Sequence, residues 1–208
     1  MRTRSKLLIA AIAAIALLGM AVSAASARNL EVSNSANGFR ITWNPLTLEA
    51  AGLEARCPVT LEGTFERSSI AKRTTENIGR VTGAAVGTCT RNRATALTET
   101  LPWEVRYSSF AGTLPNITSV SMNLIRASFR ANLEGIECLA ASRAEQPAGG
   151  IATIGAGGAI TGFRADETRG IETTGGFFCT IGGRARFAGS ASTITARSST
   201  AAISIRLI

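Results

Sequence analysis

Glu99, Trp103 and Glu104 come nearest to a catalytic pattern by residue type and spacing. Two carboxylates beside an aromatic ring are the parts of a glycoside hydrolase: an acid, a base or nucleophile, and a flat platform for a sugar. Glu99 shares parity with Leu101 and Trp103. On a strand it therefore points inward, where a desolvated carboxyl can serve as a general acid. A second carboxylate pair, Glu134 and Glu137, flanks Gly135-Ile136. Against this, Trp103 lies in the middle of an alternating apolar run, which suits a core residue better than a sugar platform. Lys72 beside Ser68 and Ser69 could form a Ser–Lys dyad. That chemistry needs a neutral, buried amine, and the segment is polar.

Composition removes most other mechanisms. There is no His in 208 residues. Ser-His-Asp and Cys-His catalysis are excluded, and so are imidazole metal ligands. Asp166 is the only Asp, which argues against calcium sites built from several Asp oxygens. Ile154-Gly155-Ala156-Gly157-Gly158 lacks the third glycine of a dinucleotide loop, and no helical pattern follows it. It reads as a Gly-rich turn. The expectation is a non-enzyme with no catalytic residue, no cofactor and no metal.

The four cysteines are Cys57, Cys89, Cys138 and Cys179, with no C-x-x-C spacing among them. Zinc ribbon and thioredoxin readings therefore fail, and two structural disulfides are expected of an exported chain. Three connectivities exist. The sequential one, Cys57–Cys89 with Cys138–Cys179, is preferred because each half of the chain then closes its own loop. Loops of about 33 and 42 residues would each stabilise by roughly 4 kcal/mol on chain-entropy grounds.

Export is read from the first 27 residues. Arg2, Arg4 and Lys6 precede an apolar run from Leu7 to Val22, and Ala25-Ser26-Ala27 supplies the small residues that a signal peptidase needs. The expected cut lies between Ala27 and Arg28. It leaves 181 of the 208 residues, with 19 basic against 14 acidic side chains, a net +5 rather than +8. Nearly all of that positive charge is Arg, dispersed with Arg91/Arg93, Arg126/Arg130 and Arg184/Arg186 as the tightest groups. Such stripes can hold an anionic cell-envelope polymer or lipid headgroups. Nucleic acid would demand a denser patch with stacking aromatics and is not expected. Asn116-Ile117-Thr118 fits a glycosylation sequon, and Leu114-Pro115-Asn116-Ile117-Thr118 reads as a turn between strands.

The stretch Cys57-Pro58-Val59-Thr60-Leu61-Glu62-Gly63-Thr64-Phe65 is followed by Cys89, by Leu101-Pro102-Trp103, by Phe110-Ala111-Gly112-Thr113-Leu114-Pro115-Asn116-Ile117 and by Cys138-Leu139. Over most of the mature chain this resembles a group of exported actinobacterial-type proteins of unknown function. The resemblance implies secretion and nothing about activity.

The elements that must position these residues are strands. Phe39, Ile41 and Trp43 alternate with polar neighbours. So do Cys57, Val59, Leu61 and Phe65; Leu101, Trp103, Val105 and Tyr107; Val120, Met122 and Leu124; Phe177, Cys179 and Ile181; and Ile203, Ile205 and Leu207. A parity shift from Leu124 to Ile125 predicts a bulge there. Pro102 places its strand at an edge or at a beginning. Asn37-Gly38, Gly149-Gly150, Gly157-Gly158, Gly175-Gly176 and Gly182-Gly183 are read as turns. Leu46–Arg56 is the one stretch with a helical look, or else a loop with one helical turn.

The fold expected is all-β: an antiparallel sandwich or barrel-like sheet with Gly-rich turns and two disulfides. Residues 28–208 form one β-rich domain, with a boundary near 142–150 between two halves. Val81-Thr82-Gly83 before Cys89 and Ile160-Thr161-Gly162 before Cys179 hint that the halves are similar. Function is expected to be binding or structural, at the envelope or outside the cell, for an unknown ligand. The alternatives are a Glu-dependent glycan hydrolase and an outer-membrane β-barrel. A single Tyr leaves the barrel without aromatic girdles. The intact mass of the exported protein should match a chain that begins at Arg28 and carries no free thiol; a mass retaining residues 1–27 would overturn the cleavage.

Overall fold

The computed structural model describes residues 29–113, 116–166, 168, 170–176, 179 and 184–208. The expected signal segment 1–27, Leu114-Pro115, Phe177, Ile181 and Gly182-Gly183 lie outside the described residues. The architecture is all-β and antiparallel throughout, as the alternation predicts.

The centre is one long hairpin. β1 (Asn29–Val32) leads into β2 (Phe39–Ala50), which turns at Ala51-Gly52 into β3 (Leu53–Phe65). Both turn residues have positive φ, 55° and 76°, as a two-residue hairpin of right-handed twist requires. The expected helix at Leu46–Arg56 is therefore a correction. Leu46, Leu48 and Ala50 are buried at alternate positions, and Glu49 pairs across to Glu54. The period is two, and the pattern is a hairpin seen across its turn.

The order continues with β4 (Ser69–Ala71), β5 (Asn77–Val86), β6 (Arg93–Ala96), β7 (Trp103–Thr113) and β8 (Asn116–Ile125). After these come β9 (Ser128–Leu133), β10 (Ile136–Ala141), β11 (Ala148–Ile154) and β12 (Ile160–Ala165). The last are β13 (Ile171–Gly175), β14 (Arg184–Ala188), β15 (Ala191–Thr195) and β16 (Ile205–Leu207). β7 begins directly after Pro102, where the missing N–H does no harm. The bulge expected at Leu124/Ile125 is instead a break between two strands. β8 ends at Ile125, Arg126 takes a φ of 70°, and β9 starts a new parity at Ser128. Gly149-Gly150 is no turn either. Both lie inside β11, where a Cβ on Gly150 would stand 2.4 Å from Phe163 Cζ. The glycine makes room for the ring.

The main sheet runs β12-β11-β8-β7-β5-β3-β2-β14-β13-β10-β9-β6, and β15 joins the edge of β2 as well. β2 therefore carries two partners on one edge: Arg40–Trp43 pair with β15, and Thr47–Glu49 pair with β14. The change falls at Asn44-Pro45, which the β2–β3 ladder also skips. From this point the sheet curls twice. On one side it forms a half-barrel whose last strand, β12, returns to the start of β15. Arg164 and Ser190 form a single bridge there, and Ala165 N–H donates to Gly189 O at 3.0 Å. On the other side, β14-β13-β10-β9-β6 curls back until Arg91 bridges Arg56 of β3. Pairing crosses 142–150 freely: β2 with β14 and β15, and β8 with β11.

The disulfides pair sequentially, Cys57–Cys89 and Cys138–Cys179. Both fasten the second curl. The first is covered instead by a small sheet, β16-β1-β4, which joins both ends of the described chain to β4. Asn29 and Ile208 exchange backbone hydrogen bonds of 3.3 and 3.0 Å. Leu30, Val32, Ile70, Ile203 and Ile205 point from this cover into the core. The turn Ala156–Gly158 holds it down: Ile160 N–H donates to Ile203 O at 2.9 Å. A Cβ on Gly158 would meet Ile205 O at 2.5 Å, whereas one on Gly157 would meet nothing within 4 Å. Their φ values are 83° and 70°. Gly157→Ala should cost about 1 kcal/mol in urea unfolding and Gly158→Ala about 2–3 kcal/mol. Equal losses would show that the cover does not press on this turn.

Candidate functional site

The carboxylates that sequence singles out do not assemble. Glu99 sits on the 3-10 turn Thr98–Thr100 and is exposed. The turn breaks the two-residue period before Leu101, so the inward parity of Trp103 does not reach back to Glu99. This corrects the inward placement. Glu104, half-buried on β7, accepts from Arg106 Nε at 3.0 Å. Trp103 is fully buried, its Nε1–H donates to Thr100 Oγ1 at 2.7 Å, and its ring packs on Phe129 at 5.4 Å between centroids. It is a core residue. Glu134 and Glu137 are exposed on the β9–β10 hairpin, with Arg130 Nε 3.5 Å from Glu137. Lys72 Nζ lies 5.4 Å above the Phe110 ring. Asp166 Oδ1 accepts from Thr168 N–H and Oγ1 at 3.2 and 2.6 Å, closing a local turn. Among the described residues no group of three or more His, Cys, Asp or Glu side chains could hold a metal ion.

The arginines are largely engaged on the outer face. Arg40 and Arg197 share Glu62 at 2.7 and 3.0 Å, and Arg56 and Arg91 share Glu54 at 3.1 and 3.0 Å. Arg184 lies opposite Glu172 and Arg186 opposite Glu49 in the sheet registers. Such exposed pairs contribute a few tenths of a kcal/mol at most. Their effect is to leave a surface of interspersed sign. Charged side chains outside and apolar ones inside are the reverse of the lipid-facing pattern of a membrane barrel.

The feature that sequence did not single out is inside. The half-barrel holds a partly open cavity of about 120 Å³ whose walls are almost wholly apolar. Phe39, Ile41 and Trp43 of β2 form one wall, Phe163 of β12 and Tyr107 of β7 face it, and Ile203 closes it from the cover. Trp43 meets Phe163 edge-on, with ring centroids 5.7 Å apart. Trp43 is only 4 % exposed, and its Nε1–H has no hydrogen-bond partner. Alternation predicts which residues of β2 face inward. It does not predict how their volumes add across the many strands that line the cavity, so a void of this size leaves no mark in the sequence.

Compared with protein-family models, with curated proteins and with solved structures, the chain gives no match. The cavity must be read from its own walls.

Tyr107, the only tyrosine, has its pKa raised by burial. Its backbone is locked beneath the segment after β4: Tyr107 N–H donates to Glu76 O at 2.9 Å, and Thr75 N–H donates to Tyr107 O at 3.2 Å. The folded phenol keeps its proton to a higher pH than the unfolded one, which titrates near pH 10. Between those two values folding takes up a proton, so stability is present in full below about pH 10 and falls as pH rises through the folded value. Denaturant midpoints should drop above pH 10, and less steeply in Tyr107→Phe. Phenolate absorbance rising at one pH in both folded and urea-unfolded protein would contradict the burial.

Proposed function

We propose that the chain is a non-catalytic binding protein exported to the cell envelope or the extracellular space, and that it takes a small apolar molecule into the half-barrel. The observation that carries this reading is the cavity. It is lined by aromatic and aliphatic side chains, lies beneath a separate sheet, and at about 120 Å³ approaches the roughly 150 Å³ of an apolar cavity that holds benzene. Binding sites of this kind are concave and mostly apolar, with few polar groups to orient the ligand. The two disulfides suit an oxidising, extracytoplasmic compartment.

Export fits the same geometry. Cleavage after Ala27 leaves a new terminus at Arg28, immediately before β1, the central strand of the cover. Contact with an anionic envelope polymer is the weaker part of this reading, because Glu partners already hold much of the Arg surface.

Benzene at tenfold its Kd should raise Tm by roughly 3–6 °C for a chain of this size. Ala165 lines the cavity, and Ala165→Leu fills part of it. The variant should unfold at least as high as the parent and lose the benzene shift. An unchanged Tm for the parent protein with benzene would overturn the proposal.

A further inference from the structure

Many of the exposed arginines meet a carboxylate, but Arg67 and Arg73 do not. Both are exposed, and neither side chain makes an ion pair or a hydrogen bond with a described residue. They line one open polar cleft of about 500 Å³, together with Glu66, Thr74, Thr75 and Glu76. Glu66 is already engaged, with Arg80 Nε 2.6 Å from its Oε1. The cleft therefore offers two unpaired guanidinium groups against one remaining carboxylate, that of Glu76. The segment between β4 and β5 that carries Arg73 is held firmly. Glu76 N–H donates to Arg73 O at 3.0 Å and closes a turn. Thr75 takes a φ of 77°, which a β-branched residue rarely adopts. Two hydrogen bonds with the Tyr107 backbone keep it there, from Thr75 N–H to Tyr107 O and from Tyr107 N–H to Glu76 O. Backbone fixed in a rare conformation by its surroundings recurs at ligand clamps.

We infer that this cleft is a second binding site, for the phosphodiester of a polyol, with Arg67 and Arg73 holding the phosphate. It shares no lining residue with the apolar cavity and goes beyond the reading given to that cavity. Each guanidinium is a planar fork of N–H donors. The two oxygens of a carboxylate lie in one plane and suit one fork. The tetrahedral oxygens of a phosphate point apart and can meet two. Glu76 sets the charge. A phosphomonoester carries nearly two negative charges at neutral pH and a diester only one, so the carboxylate disfavours the monoester. The same carboxylate can accept hydroxyl protons from a polyol, and the exposed Thr74 and Thr75 bring further hydroxyls to the cleft. The volume leaves room for more than a bare ion. This chemistry occurs in free diesters and in glycerol headgroups of lipids, and the test separates the two.

The probe is glycerophosphoglycerol, titrated into the exported protein and followed by the amide resonances of Thr74, Thr75 and Glu76. It should bind, and about two- to fivefold more tightly than glycerol 3-phosphate. Arg67→Gln and Arg73→Gln should each weaken it about five- to tenfold. Arg93→Gln, exposed on β6 and outside the cleft, should leave it unchanged. Glu76→Gln should erase the preference for the diester. The arginine positions are exposed, so their variants should fold as the parent does and keep its benzene shift in Tm. Vesicles of phosphatidylglycerol that carry the protein down on sedimentation, where phosphatidylcholine vesicles do not, would make the source a lipid headgroup. Binding of the soluble diester alone would make it a free one. No binding of the soluble diester, an affinity untouched by Arg67→Gln and Arg73→Gln, or a monoester bound more tightly would overturn this inference and leave the cavity reading standing.

Discussion

One break in one strand organises the molecule. At Asn44-Pro45 the ladder between β2 and β3 lapses, and Pro45 brings no N–H to either edge. On the far edge the chain answers with its own interruption. β14 ends at Ala188, Gly189 takes a φ of 137°, and β15 begins at Ala191. A side chain at Gly189 would stand 3.1 Å from Pro45 O, so the two kinks fit together only because one of them is glycine. Without the paired kinks β14 and β15 would run as one strand along β2, and the sheet would have a single direction in which to curl. With them it curls both ways from a shared hairpin: one curl returns to β3 through the Arg56–Arg91 bridge, and the other reaches the start of β15 through the Arg164–Ser190 bridge.

The two curls are held by different means, and the difference bears on where a cavity can exist. Cys57–Cys89 and Cys138–Cys179 both lie in the second curl, while Phe129 and Phe187, in contact at 5.2 Å between ring centroids, reach from it into the cavity wall. The first curl has no covalent tie among the described residues and depends on its cover for closure. A void of 120 Å³ there forgoes about 3 kcal/mol of packing. By the chain-entropy argument a disulfide closing a loop of this length contributes roughly 4 kcal/mol. The covalent ties therefore stabilise the chain enough for the other curl to stay incompletely filled. An exported protein has access to that arrangement in a way that a cytosolic one does not.

Much of this was legible in the sequence because period two survives local noise. Phe39, Ile41 and Trp43, then Cys57, Val59 and Leu61, fall on the buried face as their parity requires, and the sequential cysteine pairing follows from loop closure. The failures share a physical cause: a pattern was read across a point where the backbone changes state. The helical look of Leu46–Arg56 came from reading through Ala51-Gly52. The expected bulge at Leu124 and Ile125 came from reading through Arg126, and the inward Glu99 from reading through a 3-10 turn. Gly149-Gly150 failed differently. Glycine pairs favour turns, but here they serve the Phe163 ring, which arrives from a strand that sequence cannot place beside them. The cavity is of the same kind, being a property of how many strands meet.

Charge and polarity are settled differently on the two faces of the sheet. Outside, arginines meet carboxylates within the same or adjacent strands, as Arg106 with Glu104 and Arg206 with Glu31 at 3.0 Å, so the surface resolves its own electrostatics locally. Buried polar groups in the second curl are settled as well. Ser142 Oγ accepts from Ala127 N–H at 2.9 Å, and Thr173 Oγ1 donates to Cys179 O at 2.7 Å. Among the described side chains Trp43 Nε1 is the one buried nitrogen or oxygen atom without a hydrogen-bond partner. The same residue lines the apolar cavity, so the unpaired donor and the unfilled volume meet in one wall of the half-barrel.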